Sequence, residues 1–115
     1  MRRREIRLVN LDPEIGNEAA HTRPAVVVSN DGANTTAARL GRGVITVVPV
    51  TSNIDRIYPF QVLLQATATG LDSDAKAQAE QVRSVAIDRF GPVVGSLGFE
   101  LMDQLDDALR LHLDL

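Results

Sequence analysis

The chain has 115 residues, with 12 Lys and Arg against 15 Asp and Glu, a formal net charge of −3 and no cysteine. That length suits one domain over residues 1–115, able to bury about two-thirds of its unfolded surface without staples. The missing cysteines exclude disulfides, thiolate metal sites and cysteine nucleophiles, and they suit a reducing cytosol.

The first stretch, MRRREIRLVN, has the positive start of a signal peptide but no apolar run after it, and no later segment approaches membrane-spanning length. The expectation is a soluble cytoplasmic protein. Charge is unevenly placed: residues 1–60 carry eight Arg and six acids, whereas residues 61–115 carry three Arg, one Lys and nine acids. Such a distribution allows a basic face on an acidic molecule, and it is local patches that steer polyanions.

In chain order, residues 5–11 alternate as a strand and are closed by the turn signal Asp12-Pro13. Residues 14–22 read as a polar loop, and the β-branched run 25–29 as a second strand. Residues 30–42 read as a second long polar connection, with Gly41-Arg42-Gly43 as a hairpin turn. VITVVPV (44–50) is a strand whose Pro49 lacks a ladder donor, which predicts an edge or a bulge there. YPFQVLL (58–64) is another strand. In DAKAQAEQVRSVA, strong helix formers compete with a period-two alternation of Ala75, Ala77, Ala79 and Gln81; propensity alone favours helix. The terminal LMDQLDDALRLHL places Leu101, Leu105, Ala108, Leu109 and His112 on one face of an amphipathic helix.

Arg23 in HTRPAVVVSND stands at the mouth of a buried strand. Pro24 fixes its own φ and pushes the preceding residue into extended geometry, so the cation has a stiff mount. On these residues alone it reads either as a solubilising surface group or as a functional one. Thr51 and Ser52, after the third strand, can cap a turn or donate to a phosphate oxygen. His21 and His112 have no partner at metal-ligand spacing: His112 is a helix-face residue, and His21 a loop residue open to substrate. The acids form no metal-binding loop pattern. The sequon Asn34-Thr35-Thr36 is idle without a secretory signal.

Taken in order, REIRLVNLDPEIGNE, RPAVVVSND, VITVVPVTSNI, YPFQVLL, AEQVRSV and DDALRLHLDL resemble the MazF/PemK family of toxin endoribonucleases over nearly the whole chain. The resemblance implies an α+β fold, mainly β: a small SH3-like β-barrel with a C-terminal helix, in which residues 73–85 form a strand. It implies a homodimer that cleaves single-stranded RNA without a cofactor or metal and is held inactive by a cognate, MazE-like antitoxin. Arg23 matches the arginine of the family's R-P motif and Thr51 the threonine after its third strand, the two residues used for cleavage. Ser52, Gln81, Glu18 and His21 fall at substrate-binding positions. Arg4 and Arg7 stand where the family usually has glycine and an aromatic residue, and Asn17-Glu18-Ala19 where it has S-E-Q.

The implied chemistry uses the RNA's own 2′-hydroxyl as nucleophile, leaving a 2′,3′-cyclic phosphate and a 5′-hydroxyl; the 2′-hydroxyl also separates RNA from DNA. Arg23 would clamp the non-bridging oxygens and Thr51 would add a hydrogen bond. Two other readings stay open on this fold: a gyrase-binding toxin without nuclease chemistry, and a catalytically dead member that binds an antitoxin.

Overall fold

The computed structural model describes residues 1–11 and 22–115. The loop reading of residues 14–22 therefore falls, Thr22 apart, outside the described residues.

Among the described residues, seven strands form one antiparallel sheet: β1 (Glu5–Asn10), β2 (Thr22–Val27), β3 (Val44–Thr51), β4 (Gln61–Leu64), β5 (Ala75–Gln78), β6 (Arg83–Ala86) and β7 (Phe90–Ser96). Their order is β4-β5-β3-β2-β1-β7, with β6 also paired to β3. The runs AVVV and VITVVPV are apolar save for Thr46 because most of β2 and β3 is covered on both faces. Val26, Val48 and Val50 point into one cluster with Leu64, Met102 and Leu105. Ala25, Val27, Ile45 and Val47 point into the other with Val9, Ala37 and Val85. The turn at residues 66–69, just after β4, lies against β7 at the other end of the strand order, where a side chain on Gly95 would meet the Thr69 carbonyl oxygen at 2.6 Å.

Among the described residues, three α-helices pack on the sheet: α1 (Asp31–Leu40), the single turn α2 (Ala66–Thr69) and α3 (Phe99–Leu113). The polar connection expected over residues 30–42 is thus mostly helix. Asn30 caps it by accepting from the Ala33 N–H at 2.8 Å, and Gly41 ends it at φ 68°. Gly41-Arg42-Gly43 is accordingly a left-handed helix cap leading to a strand and not a hairpin turn. Only Asn34 and Ala37 of α1 are buried, so its sequence carries almost no apolar stripe. Asn34 is fully buried and its amide donates to the Ser29 carbonyl.

Residues 73–85 are extended, as the resemblance implies, but in two pieces joined by the 3-10 turn Ala79–Gln81. Both pieces pair with the same edge of β3: β6 with Val44 to Val47 and β5 with Val50 and Thr51. Pro49 therefore lies in a central strand rather than at an edge, in the gap where that pairing changes partner. The strand expected over 58–64 begins only at Gln61, because Tyr58, Pro59 and Phe60 form a turn. On α3, Met102, Leu105 and Ala108 are buried, Leu101 and Leu109 half-buried, and His112 is exposed rather than on the packed face.

Candidate functional site

The β2–β3 ladder pairs Val27 with Val47, Val26 with Val48 and Ala25 with Pro49. Continuing that register by two residues sets Arg23 across from Thr51. Period-two alternation puts both on the face that carries Ala25, Val27, Ile45 and Val47. The site is thus the polar continuation of an apolar layer. There the layer ends in a groove of about 790 Å³ lined by Arg23, Pro24, Pro49, Thr51 and Ser52, with Gln81 and Arg83 from the bend between β5 and β6.

Arg23, Thr51 and the Arg83–Gln81 pair each have a local anchor. Arg23 is exposed, and its Nη1 donates to the Thr22 carbonyl at 3.1 Å. The Thr51 hydroxyl accepts the Asn53 N–H at 3.2 Å. Turn capping by Thr51 is therefore real, yet it uses the oxygen as acceptor and leaves the hydroxyl proton to donate elsewhere. Arg83 donates through Nε to the Gln81 carbonyl and through Nη2 to its Oε1, both at 3.3 Å. With its oxygen held, the Gln81 amide can present N–H donors to the groove. Among the described residues, two guanidiniums and a single acid, Asp72, line this space, so its described lining is net cationic although the whole chain is acidic.

Four of the expected site residues, Arg23, Thr51, Ser52 and Gln81, thus share one groove. Glu18 and His21 lie outside the described residues. Arg83 is an addition the sequence reading did not make; the available signal was its position two after Gln81, close enough for the two side chains to bond. Among the described residues, no group of three His, Asp or Glu side chains is placed to hold a metal ion. No helix there is long and apolar enough to cross a membrane.

Arg4 and Arg7 do not line the groove. Arg4 adopts φ 84°, the left-handed region that favours glycine, which explains the glycine usual at this position. Its guanidinium lies 4.1 Å from the Phe99 ring centroid and donates to the Leu97 carbonyl. Arg7 turns toward β7, donating to the Gly91 carbonyl at 3.0 Å and pairing with Glu5 at 3.1 Å. Burial pushes the Glu5 carboxyl up, but hydrogen bonds from the Arg2 N–H and from Arg7, with the Arg7 charge, outweigh it and leave the carboxyl below its ordinary range.

A small antiparallel sheet with a C-terminal helix packed on it, opening a polar groove at the end of its central strand, defines a class of compact α+β proteins with a site at the end of the sheet. Comparison with known proteins narrows the class. Residues 2–113 match the model of the PemK-like, MazF-like toxins of type II toxin-antitoxin systems. The chain is 65% identical over 115 residues to the endoribonuclease MazF9 of Mycobacterium tuberculosis, covering 100% of this chain and 98% of that one. Among solved structures, MazF from Deinococcus radiodurans is similar at TM-score 0.78 and 24% identity, covering 100% of this chain and 97% of that one. A mycobacterial endoribonuclease in complex with its cognate antitoxin matches at TM-score 0.78 and 20% identity, over 100% and 96% of the two chains. The chain belongs to the PemK-like, MazF-like toxin family.

Proposed function

We propose that this protein is the toxin of a type II toxin-antitoxin system and a sequence-specific endoribonuclease that cuts single-stranded RNA and so arrests translation and growth. The observation that carries the reading is the meeting of Arg23, Thr51, Ser52 and Gln81 in one groove, in a chain 65% identical to a protein named an endoribonuclease. The absence of cysteine supports a cytoplasmic place of action.

The scissile phosphate sits between Arg23 and Thr51. The RNA 2′-oxygen attacks phosphorus as its proton leaves to solvent, the bond to the 5′-oxygen breaks, and a 2′,3′-cyclic phosphate remains. Arg23 does not deprotonate in proteins, so it is not the base. It holds the non-bridging oxygens with a planar fork of permanent charge that stabilises the pentacoordinate transition state. The leaving 5′-oxygen takes its proton from water or a hydroxyl that Arg23 orients. Thr51 donates its remaining hydroxyl proton to the same phosphate.

A cognate, MazE-like antitoxin fits as an acidic or amphipathic segment ordered along the groove, since a disordered chain can cover a wide surface. The mycobacterial neighbour solved with its antitoxin supports such a partner. A homodimer is supported by the exposure of Leu111, Leu113 and Leu115 at the end of α3, a cluster of the kind interfaces cover.

The test is to incubate the purified protein with total RNA in excess EDTA and sequence the new 5′ ends, then repeat on a synthetic RNA with a 2′-deoxy group at the cut. Cleavage at a short common sequence and its loss on the deoxy substrate are expected. Equal cutting of the deoxy substrate would remove the internal-nucleophile mechanism.

A further inference from the structure

Directly after Thr51 the chain leaves β3 and runs as a connection, residues 52–60, with no regular structure of its own. It is nonetheless held at several points. The Asp55 N–H donates to the Asn53 side chain at 3.3 Å. Lys76 donates from Nζ to the Arg56 carbonyl at 2.6 Å, and Gln61 accepts the Tyr58 N–H at 3.1 Å while its amide donates to Glu80 at 2.7 Å. Lys76 and Gln61 are both only 8% exposed. Lys76 is the Cα partner of Thr51 across the β3–β5 ladder, so the row Arg23, Thr51, Lys76 runs across three strands on one face.

Burying an ammonium is costly, and here its described acceptor is a loop carbonyl. What the arrangement holds still is an exposed pair of a kind suited to unpaired bases. Tyr58 is 41% exposed. Phe60 backs one face of its ring, at 5.4 Å between centroids and 3° between planes. Arg56 Nη1 reaches the Tyr58 hydroxyl at 3.3 Å with its Cζ 5.8 Å from the centroid, which places the charge at the phenol rim. Single-stranded RNA is gripped by aromatic faces flanked by cations.

We propose that residues 52–60 form a flanking-nucleotide subsite in which Tyr58 stacks one unpaired base of the RNA, Arg56 meets the adjacent phosphate, and Lys76 is the positioning residue. This rests on the endoribonuclease reading above. The subsite holds a nucleotide that is not cut, so it strengthens binding of substrate and transition state equally and is felt in KM rather than kcat.

The experiment compares kcat and KM on a synthetic single-stranded RNA carrying the mapped cut sequence, for the wild type and for Tyr58→Leu, Arg56→Ala, Lys76→Met and the Tyr58→Leu/Lys76→Met pair. Tyr58→Leu should raise KM about tenfold, the scale of one stacked base, with kcat within about twofold. Lys76→Met should raise KM similarly with no loss in Tm, because replacing a buried charge by an apolar side chain of like volume is often neutral or stabilising. The pair should be no worse than the worse single variant, because Lys76 acts through the loop that carries Tyr58. An active enzyme whose KM is unmoved by Tyr58→Leu overturns the subsite. Additive effects in the pair, or a Lys76→Met variant that only melts earlier, overturn the positioning role. A folded wild type that cuts no RNA overturns the endoribonuclease reading and this one with it.

Discussion

Arg23→Ala separates a catalytic arginine from a surface arginine by the ratio of two magnitudes. The side chain is exposed, it belongs to neither apolar cluster, and β2 keeps its backbone pairing to Val9 whatever stands at position 23. Truncation should therefore cost the fold no more than about 0.5 kcal/mol, roughly 2 °C in Tm for a chain of this size. Loss of one preorganised donor to a transition-state oxyanion costs about a hundredfold to a thousandfold in kcat, some 3–4 kcal/mol. The functional penalty thus exceeds the structural one by about sixfold or more in free energy. Single-turnover cleavage of the mapped RNA, alongside thermal melting, reads both quantities on one preparation. Arg23→Lys should recover only part of the loss, because an ammonium keeps the charge and lacks the bidentate fork. A folded Arg23→Ala protein cutting within about threefold of wild type would refute the assignment.

Thr51→Ala should cost about tenfold, less than Arg23→Ala, since it removes a neutral hydrogen bond. If both grip one phosphate, the double variant should fall well short of the product of the two effects; strict multiplicativity in single-turnover rates would place them on different groups. Gly95→Ala drives a Cβ to 2.6 Å from the Thr69 carbonyl oxygen and 3.3 Å from Ile6, so it should destabilise by about 1–3 kcal/mol, and an unchanged denaturation midpoint would show that α2 does not pack tightly on β7. Because the Glu5 carboxyl is held below its ordinary range, its contribution is present above the unfolded pKa and lost as pH falls through the folded one. The Tm gap between wild type and Glu5→Gln should shrink on acidification; a gap constant from neutral to acid pH would remove this linkage.

The buried strands were legible because burial writes itself into composition: most of β2 and β3 is covered on both faces, and their β-branched runs say so. The terminal helix was legible from its stripe, except that His112 lies past the end of the covered face. Helix α1 was not, because it buries only Asn34 and Ala37 and is held by caps and by hydrogen bonds from Asn34 rather than by an apolar face. The extended form of residues 73–85 overrode strong helix propensity through pairing with β3, a long-range contact that no local window contains. For the site, local chemistry left Arg23 and Thr51 ambiguous between surface and function. Only the order of motifs singled them out, and Arg83 escaped because its partner Gln81 is the last residue of a 3-10 turn, so the pair spans the change from turn to strand.

The two prolines beside the site explain why a groove opens there. Val28 donates to the Thr46 carbonyl at 2.9 Å, which fixes the parity of the β2–β3 ladder: in that register Val26 with Val48 and Pro24 with Val50 are the hydrogen-bonded pairs. Pro24 has no N–H to give, so the ladder loses its next bond and its pairing ends at Ala25 with Pro49. By the same parity the Pro49 nitrogen faces the opposite edge of β3, in the gap between the pairings with β6 and β5. Each proline thus removes one donor, on opposite edges of the central strand, just before Thr51. Strands that are no longer bonded can splay. Residues 23 and 51, which unbroken register would hold side by side, instead line the groove. The proline that stiffens the mount of Arg23 is also the one that opens the room it faces.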